Sequence, residues 1–376
     1  MKMMDELGYD VEITYKKKEN KDMSIVNHED VNTINISNTI KQTKGRLYYI
    51  DFLKCIGLTC IIIAHVGSPS WVMMLRSFDV PLMVILSSIL ANRSYSKYSS
   101  SKTSVINYYT SRIKRLVIPT WIFLTFYFVF KYIVTGSGSS VKYYLDSFLL
   151  TRYGIGYVWV ILIYLYSAML IPLFAKFKLS IKGVVIVVIS YVIYEIAYHY
   201  GLGLNGGMVH FVDSTFYYII PYGLITYLGY NYNKMTAKAK YVILLTSSIA
   251  FISLAIYYWA DTGTFQLVQI AKYPPRLYYL SYGIACSFAL LMICERKNRA
   301  LFENKIVRFI SSHSMWIYLW HIFVLTVYEI LKLPEIWFIK LIVVYIISSV
   351  IVLIINILLD CLERRHHLSC IKYLRG

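Results

Sequence analysis

Cysteine is scarce in this chain of 376 residues, and its six cysteines follow no metal-binding spacing. Four lie in long apolar runs and two in a basic tail, so we expect small interior side chains and no disulfide bonds. The sequence also lacks a Gly-x-Ser-x-Gly elbow, a nucleotide-binding glycine-rich loop and an internal repeat. These absences argue against a serine-nucleophile site and weaken the case for a transporter built from inverted repeats.

Acidic residues are also few, with 20 Asp and Glu against 38 Lys and Arg, and the formal net charge is +18. Residues 1–46 hold eight residues of each sign, so the positive excess lies in short connections between apolar segments. Charge in those places is typical of membrane orientation. We therefore predict no nucleic-acid partner.

Apolar residues, in contrast, are abundant. They make up 58% of the chain and the mean hydropathy is +0.55, whereas soluble domains are about 45–50% apolar. Many of the 37 tyrosines flank the apolar runs, as membrane-interface anchors do. This composition predicts an all-α, polytopic integral membrane protein with about ten transmembrane helices. The predicted spans lie near residues 47–66, 71–92, 116–135, 156–175, 183–200, 215–231, 241–259, 276–294, 308–331 and 336–359.

The chain divides into a membrane domain and two tails. Residues 1–45 are polar and lack apolar periodicity, which predicts a disordered tail. Residues 46–360 form the transmembrane domain and residues 361–376 a basic tail. Basic residues occupy every second connection, so the positive-inside rule predicts a multi-pass protein of the cytoplasmic membrane with both termini in the cytoplasm. The basic segments are the N-terminal tail, 93–115, 176–182, 234–240, 296–308 and the C-terminal tail.

The first apolar run carries two ionisable side chains, Lys54 and His65. Ionisable groups within a membrane span are costly and usually functional. Eleven residues are three helical turns, so both groups lie on one face, roughly 16 Å apart along the axis. The predicted orientation puts Lys54 near the cytoplasmic surface and His65 near the outer one. This arrangement suits a reaction whose two substrates approach from opposite sides.

Four sequence segments carry a resemblance to a known family. The first is Tyr49-Ile-Asp-Phe-Leu-Lys54 with Ala64-His65, a cation followed after ten residues by histidine. The other three segments are Phe78-Asp-Val-Pro-Leu-Met-Val-Ile-Leu-Ser-Ser88, Arg112-Ile-Lys-Arg115-Leu-Val-Ile-Pro119 and Ser314-Met-Trp-Ile-Tyr-Leu-Trp-His321. Together they resemble the membrane-bound acyltransferase 3 family over about residues 46–360. The family often has arginine where Lys54 stands, glycine where Ser88 stands, and histidine or methionine at the position of Asp79.

The resemblance implies an O-acyltransferase. Its members move an acyl group, often acetyl, from cytoplasmic acyl-CoA to a carbohydrate or other acceptor, usually a cell-envelope glycan. For this chain we expect acyl-CoA (acetyl-CoA) as donor substrate, no metal, and an exported or lipid-linked polysaccharide as acceptor. Membrane lipids are the remaining expected partners.

The histidines are the candidate catalytic residues. A hydroxyl needs a base to become a good nucleophile, and His65 has the titration range for that work. His321, framed by aromatic residues, is expected to orient His65 or the acceptor. The alternative for each is a structural histidine that satisfies a carbonyl or packs among aromatic rings. Direct transfer assisted by His65 is preferred over a Ser or Cys acyl-enzyme, with an acyl-histidine intermediate as an alternative.

Three basic residues are the candidate donor-binding groups. Arg112 and Arg115 lie one turn apart at the cytoplasmic end of the third span, and arginine binds phosphates bidentately. Lys54 is expected to contact a phosphate or the pantetheine group, as the resemblance implies. The alternatives are orientation charge for the arginines and a structural ion pair with Asp51 for Lys54.

Acids near these groups are candidates for substrate binding or orientation. Asp51 shares a helix face with Lys54, and Asp79 opens the second predicted span. One of Asp79, Glu195 and Glu329 could hold the tautomer of His65. A different functional class also stays open, because a lipid-linked sugar flippase or glycan exporter would be polytopic too, with charged residues lining its pore and no acyl transfer.

Overall fold

The computed structural model describes residues 46–96, 104–177, 179–200, 215–297 and 302–366. These ranges contain α-helices, short 3₁₀ turns and no β-strand. The all-α prediction is confirmed. The helices are α1 (Tyr48–Ile63), α2 (Ser70–Leu75), α3 (Asp79–Ser96), α4 (Ser104–Thr135), α5 (Val141–Phe148), α6 (Trp159–Phe177), α7 (Ile181–His199), α8 (Phe216–Asn231), α9 (Ala237–Thr262), α10 (Leu277–Glu295), α11 (Lys305–Ser312), α12 (Ser314–Ile330) and α13 (Trp337–His366).

Each predicted span falls on a helix or on a pair of helices. Within the described ranges, 7 helical segments are long and apolar enough to cross a membrane, and the bent pair α11–α12 raises the number to 8. The predicted spans 47–66 and 215–231 coincide with α1 and α8, which have only 16 residues each. The polytopic membrane architecture is therefore confirmed, with seven to eight helices of full spanning length and two shorter ones.

Helix α3 lies at the centre of the bundle, in contact with α1, α6, α8 and α10. Small residues on its neighbours allow the close approach. A Cβ on Gly229 of α8 would lie 2.7 Å from the carbonyl oxygen of Ile85, and one on Gly283 of α10 would lie 2.4 Å from Pro81 Cγ. Small residues at interfaces are how membrane helices maximise packing. Helices α9 and α13 instead expose most of their apolar side chains, as lipid-facing helices do.

Two predicted spans are broken rather than continuous. The second span divides into α2 and α3 around Arg76, and the ninth divides into α11 and α12 at His313 with a bend of 77°. Broken helices leave backbone groups without partners, so in a membrane they occur where protein or a cavity surrounds them. The first span is also shorter than predicted. Helix α1 ends at Ile63, and His65 follows in a turn in which its N–H donates to the Ile62 carbonyl at 2.9 Å.

Several predictions lie wholly or partly outside the described residues. The disordered tail predicted for residues 1–45 lies there, as does most of the basic tail predicted for residues 361–376. Helix α13 extends to His366, past the predicted domain boundary at residue 360.

Candidate active site

The two predicted catalytic histidines meet, although 256 residues separate them. His65 lies in the turn after α1, and His321 lies in the third turn of α12. The distance between His65 Nδ1 and His321 Nε2 is 3.0 Å. Their rings stack with centroids 5.1 Å apart. His321 is fully buried, whereas His65 is half-buried. The pair therefore has an interior member and a member that a substrate can reach.

A backbone carbonyl fixes the proton positions of the neutral pair. His321 Nδ1 is hydrogen-bonded to the Tyr318 carbonyl oxygen, which only accepts, so Nδ1 of His321 carries the proton. His321 Nε2 is then the acceptor, and His65 Nδ1–H must be the donor to it. This chain of hydrogen bonds leaves His65 Nε2 with its lone pair available. His65 Nε2 is therefore the atom suited to take a proton from a substrate.

Two tyrosines brace the histidine pair. The Tyr157 ring meets the His65 ring edge-on, with centroids 4.7 Å apart. The Tyr318 hydroxyl donates to the Tyr157 carbonyl, and the Tyr318 carbonyl holds His321. Tyr318 thus links the start of α6 to the buried histidine. Sequence reasoning had assigned no bracing role to either tyrosine; the only signal was that Tyr318 precedes His321 by three residues.

The three predicted donor-binding residues line one cavity. Lys54 from α1 and Arg112 and Arg115 from α4 border a space of about 190 Å³, whose remaining wall is mainly apolar with several serines. Arg112 donates to Ser94 Oγ at 2.6 Å, and its guanidinium lies 5.0 Å from the centroid of the Tyr108 ring. These contacts hold Arg112 at the cavity. The cavity therefore combines an apolar interior with cations from two helices.

The cavity points toward the histidine pair. Along α1 its wall contains Lys54, Leu58 and Ile61, and His65 follows in the turn after this helix. Along α12 its wall contains Ser314 and Tyr318, and the next turn of that face carries His321. The wall residues of α1 and α12 thus lead to the two histidines, while Arg112 and Arg115 border the cavity from α4.

Asp51 supports the wall of this cavity. Its carboxylate accepts a hydrogen bond of 2.6 Å from Ser311 Oγ, and both residues are buried. Ser311 itself lines the cavity. The hydrogen bond joins α1 to α11 next to the break at His313. Asp51 thus lies beside the donor-binding candidates but makes its described contact with another helix.

Asp79 lies in a buried cluster of charges. Its carboxylate is 2.5 Å from Arg76 Nη1 and 3.9 Å from Lys272 Nζ, and it also accepts from the Val80 N–H at 2.8 Å. All three charged side chains are at most 5% exposed. Lys272 lies in the connection before α10, where burial lowers its pKa to about 8 although the charge of Asp79 acts in the opposite direction. Sequence reasoning missed Arg76 and Lys272.

Within the described residues, none of Asp79, Glu195 and Glu329 is hydrogen-bonded to His65, the candidate base. Asp79 pairs with two cations, and Glu195 accepts from Arg276 Nε at 3.0 Å. The hydrogen-bond partners of His65 and His321 are each other and the Tyr318 carbonyl. His321 therefore takes the position beside His65 that one of these acids could have taken, and a backbone carbonyl orients His321.

Comparison with known protein families identifies the chain. The family model of acyltransferase 3, described as an acyltransferase domain, matches residues 47–361. Neither the curated proteins nor the solved structures gave a match to the chain. The matched segment begins one residue before α1 and includes the histidine pair, the cavity and nearly all of α13. The chain therefore belongs to the acyltransferase 3 family, as a polytopic membrane acyltransferase.

Proposed function

We propose that this protein is an O-acyltransferase that moves an acyl group, with acetyl as the first candidate, from cytoplasmic acyl-CoA to a hydroxyl of an exported or lipid-linked polysaccharide. The observation that carries the proposal is the alignment of the cavity with the histidine pair. Lys54, Arg112 and Arg115 line the cavity, and α1 and α12, which also line it, lead to His65 and His321.

Two parts of the acyl-CoA donor, its phosphates and its pantetheine arm, fit two features of this arrangement, the cations and the cavity. Coenzyme A carries a diphosphate and a 3′-phosphate, which Arg112, Arg115 and Lys54 would bind. The mainly apolar wall of the cavity suits the slender pantetheine arm rather than the charged nucleotide. The arm would run along α1 with the thioester near His65. The nucleotide would remain at the cavity mouth, which the positive-inside rule puts in the cytoplasm together with both termini.

The reaction follows from the tautomers of the pair. His65 Nε2 takes the proton of the acceptor hydroxyl while that oxygen attacks the thioester carbonyl carbon. The tetrahedral intermediate collapses as the carbon–sulfur bond breaks, and the imidazolium of His65 returns the proton to the thiolate of coenzyme A. Throughout, His65 Nδ1–H donates to His321 Nε2, which keeps the ring oriented. No serine or cysteine nucleophile is needed.

The acceptor is proposed to reach His65 from the side of the membrane opposite the arginines. His65 is half-buried at the end of α1, and Lys54 lies toward the other end of the same helix. With the cations on the cytoplasmic side of the cytoplasmic membrane, a glycan at the outer surface meets the thioester at the histidine pair.

The first experiment is NMR of cell-envelope glycan from cells with the wild-type protein, His65→Ala, His199→Ala or no protein. His199, exposed at the end of α7, is the matched control. We expect an O-acetyl signal in the wild-type and His199→Ala cells only, with equal amounts of each protein in the membrane.

A second assay separates the alternatives. Purified protein is given acetyl-CoA and the released thiol is measured. Thiol release that requires His65 supports acyl transfer even if the acceptor is not the polysaccharide proposed here. Full O-acetylation in His65→Ala cells would overturn the proposal, and glycan export without thiol release would favour the flippase.

A further inference from the structure

Aromatic rings extend from the accessible histidine to the connection before α10. Tyr157 meets the His65 ring edge-on, and Trp159, two residues further on, meets the Tyr273 ring edge-on with centroids 5.3 Å apart. Tyr273 is 44% exposed, and Tyr157 and Trp159 are half-buried. They come from two distant segments, one at the start of α6 and one before α10. Partly exposed rings that begin at the candidate base form a surface on which a substrate can pack.

A buried positive charge lies beneath these rings. Lys272 Nζ is 5.5 to 5.9 Å from the ring centroids of Trp159, Tyr273 and Tyr279, and the side chain is almost completely buried. The cluster it belongs to contains two cations, Arg76 and Lys272, and one carboxylate, Asp79. Among the described residues, Arg76 Nε has no hydrogen-bond partner. The cluster therefore carries one excess positive charge.

The aromatic rings connect the excess charge to the histidine pair. Lys272 Nζ is 5.8 Å from the Trp159 ring centroid, and Tyr157, two residues before Trp159, meets the His65 ring. A charge surrounded by protein acts over a longer distance than one in water, because the effective dielectric constant is lower. A negatively charged substrate group over the aromatic surface would compensate this charge without touching it. Attraction of that kind selects between substrates.

We propose that Tyr157, Trp159 and Tyr273 form the acceptor subsite, and that it prefers a pyranose ring bearing a carboxylate or a phosphate. The inference rests on the proposed function and names the acceptor chemistry of that site. The C–H face of a pyranose buries apolar area against an aromatic ring. A pyranose packed on Tyr157 would bring one of its hydroxyls toward His65 Nε2. The excess charge of the cluster would favour the anionic substituent.

The test uses the full-length protein in lipid nanodiscs with three soluble probes. They are methyl β-D-glucoside as the neutral sugar, methyl β-D-glucuronoside for the carboxylate, and glucose 1-phosphate for the phosphate. Saturation-transfer NMR measures sugar binding without any reaction, and thiol release from acetyl-CoA measures acceptor-dependent transfer. The variants are Tyr273→Ala, Lys272→Met, and the matched control Tyr257→Ala, an exposed tyrosine of α9.

We expect the anionic probes to bind about tenfold more tightly than the neutral glucoside. Tyr273→Ala should weaken all probes about five- to tenfold, since it removes a stacking surface. Lys272→Met should remove the preference for the anionic probes over the neutral glucoside. Tyr257→Ala should bind like the wild type. A larger effect on one of the two anionic probes would identify the carboxylate or the phosphate as the natural group.

The inference is overturned by three results: no saturation transfer to any probe, equal binding of neutral and anionic probes, or a preference that survives Lys272→Met. Its failure is distinct from failure of the proposed function. Thiol release that depends on His65 in the presence of envelope glycan would support acyl transfer even where the probes do not bind.

Discussion

The hydrogen bond between the two histidines can be tested by changing only the acceptor. In His321→Leu, the buried His65 Nδ1–H loses its partner, while an apolar side chain fills most of the space. In His321→Gln, the side-chain oxygen can still accept from His65 Nδ1. If the hydrogen bond to His65 supports activity, His321→Gln should keep more activity than His321→Leu. If His321 only fills space, the two variants should behave alike.

The expected fall in kcat for His321→Leu follows from the geometry of the histidine pair. The two nitrogens are 3.0 Å apart and His321 is fully buried, so water cannot replace the lost acceptor. An orphaned buried donor costs about 1–3 kcal/mol, which corresponds to about 5- to 150-fold in rate. We expect kcat for thiol release to fall within that range in His321→Leu and to recover most of it in His321→Gln. The KM for acyl-CoA should change little, because His321 is not among the residues that line the cavity with the proposed donor-binding cations.

The assay is acceptor-dependent thiol release by purified protein, with circular dichroism and thermal unfolding to confirm that each variant is folded. His65→Ala sets the level without a base. A folded His321→Leu enzyme with wild-type kcat would refute the argument, because the tautomer of His65 would then not depend on its partner. Equal losses in the Leu and Gln variants would show that the ring of His321 matters for its shape instead.

Three other changes test the donor site, the packing and the charge cluster. Arg112→Lys removes the bidentate fork but keeps the charge, so the KM for acetyl-CoA should rise about tenfold with kcat little changed in steady-state kinetics. Gly283→Ala puts a methyl group 2.4 Å from Pro81 Cγ, and we expect about 1–3 kcal/mol of destabilisation and a lower Tm by differential scanning fluorimetry. Lys272, with a pKa of about 8 beside Asp79, is charged below that pH and neutral above it, so the ratio of anionic to neutral acceptor binding should fall as the pH rises from 7 to 9. A ratio that stays constant over that range would contradict the assignment of the excess charge.

Much of the fold could be predicted from the sequence because membrane spans are a local property. A run of apolar residues long enough to cross the bilayer forms a helix wherever its neighbours lie. Each predicted span accordingly coincides with a helix or a broken pair. The breaks at Arg76 and His313 were not predicted, since they depend on how other helices surround the freed backbone groups.

Helical periodicity also gave part of the site. The periodicity put Lys54 and His65 on one face of the first span because eleven residues make three turns, although α1 ends at Ile63 and His65 lies in the turn that follows. Arg112 and Arg115 share a face of α4 because three residues make about one turn. That local rule placed each pair along its own helix. It did not say that the two helices border a common cavity.

The sequence alone determined the membrane class, the positions of the helices and the identity of the ionisable residues within them. Only the tertiary structure decided which of those residues meet. The contact between His65 and His321 spans 256 residues. The group that fixes the tautomer of His321, and through it that of His65, is the backbone carbonyl of Tyr318, a group that every residue has. Side-chain chemistry can be read along a chain, but the packing of helices brings distant groups together, and no local pattern records it.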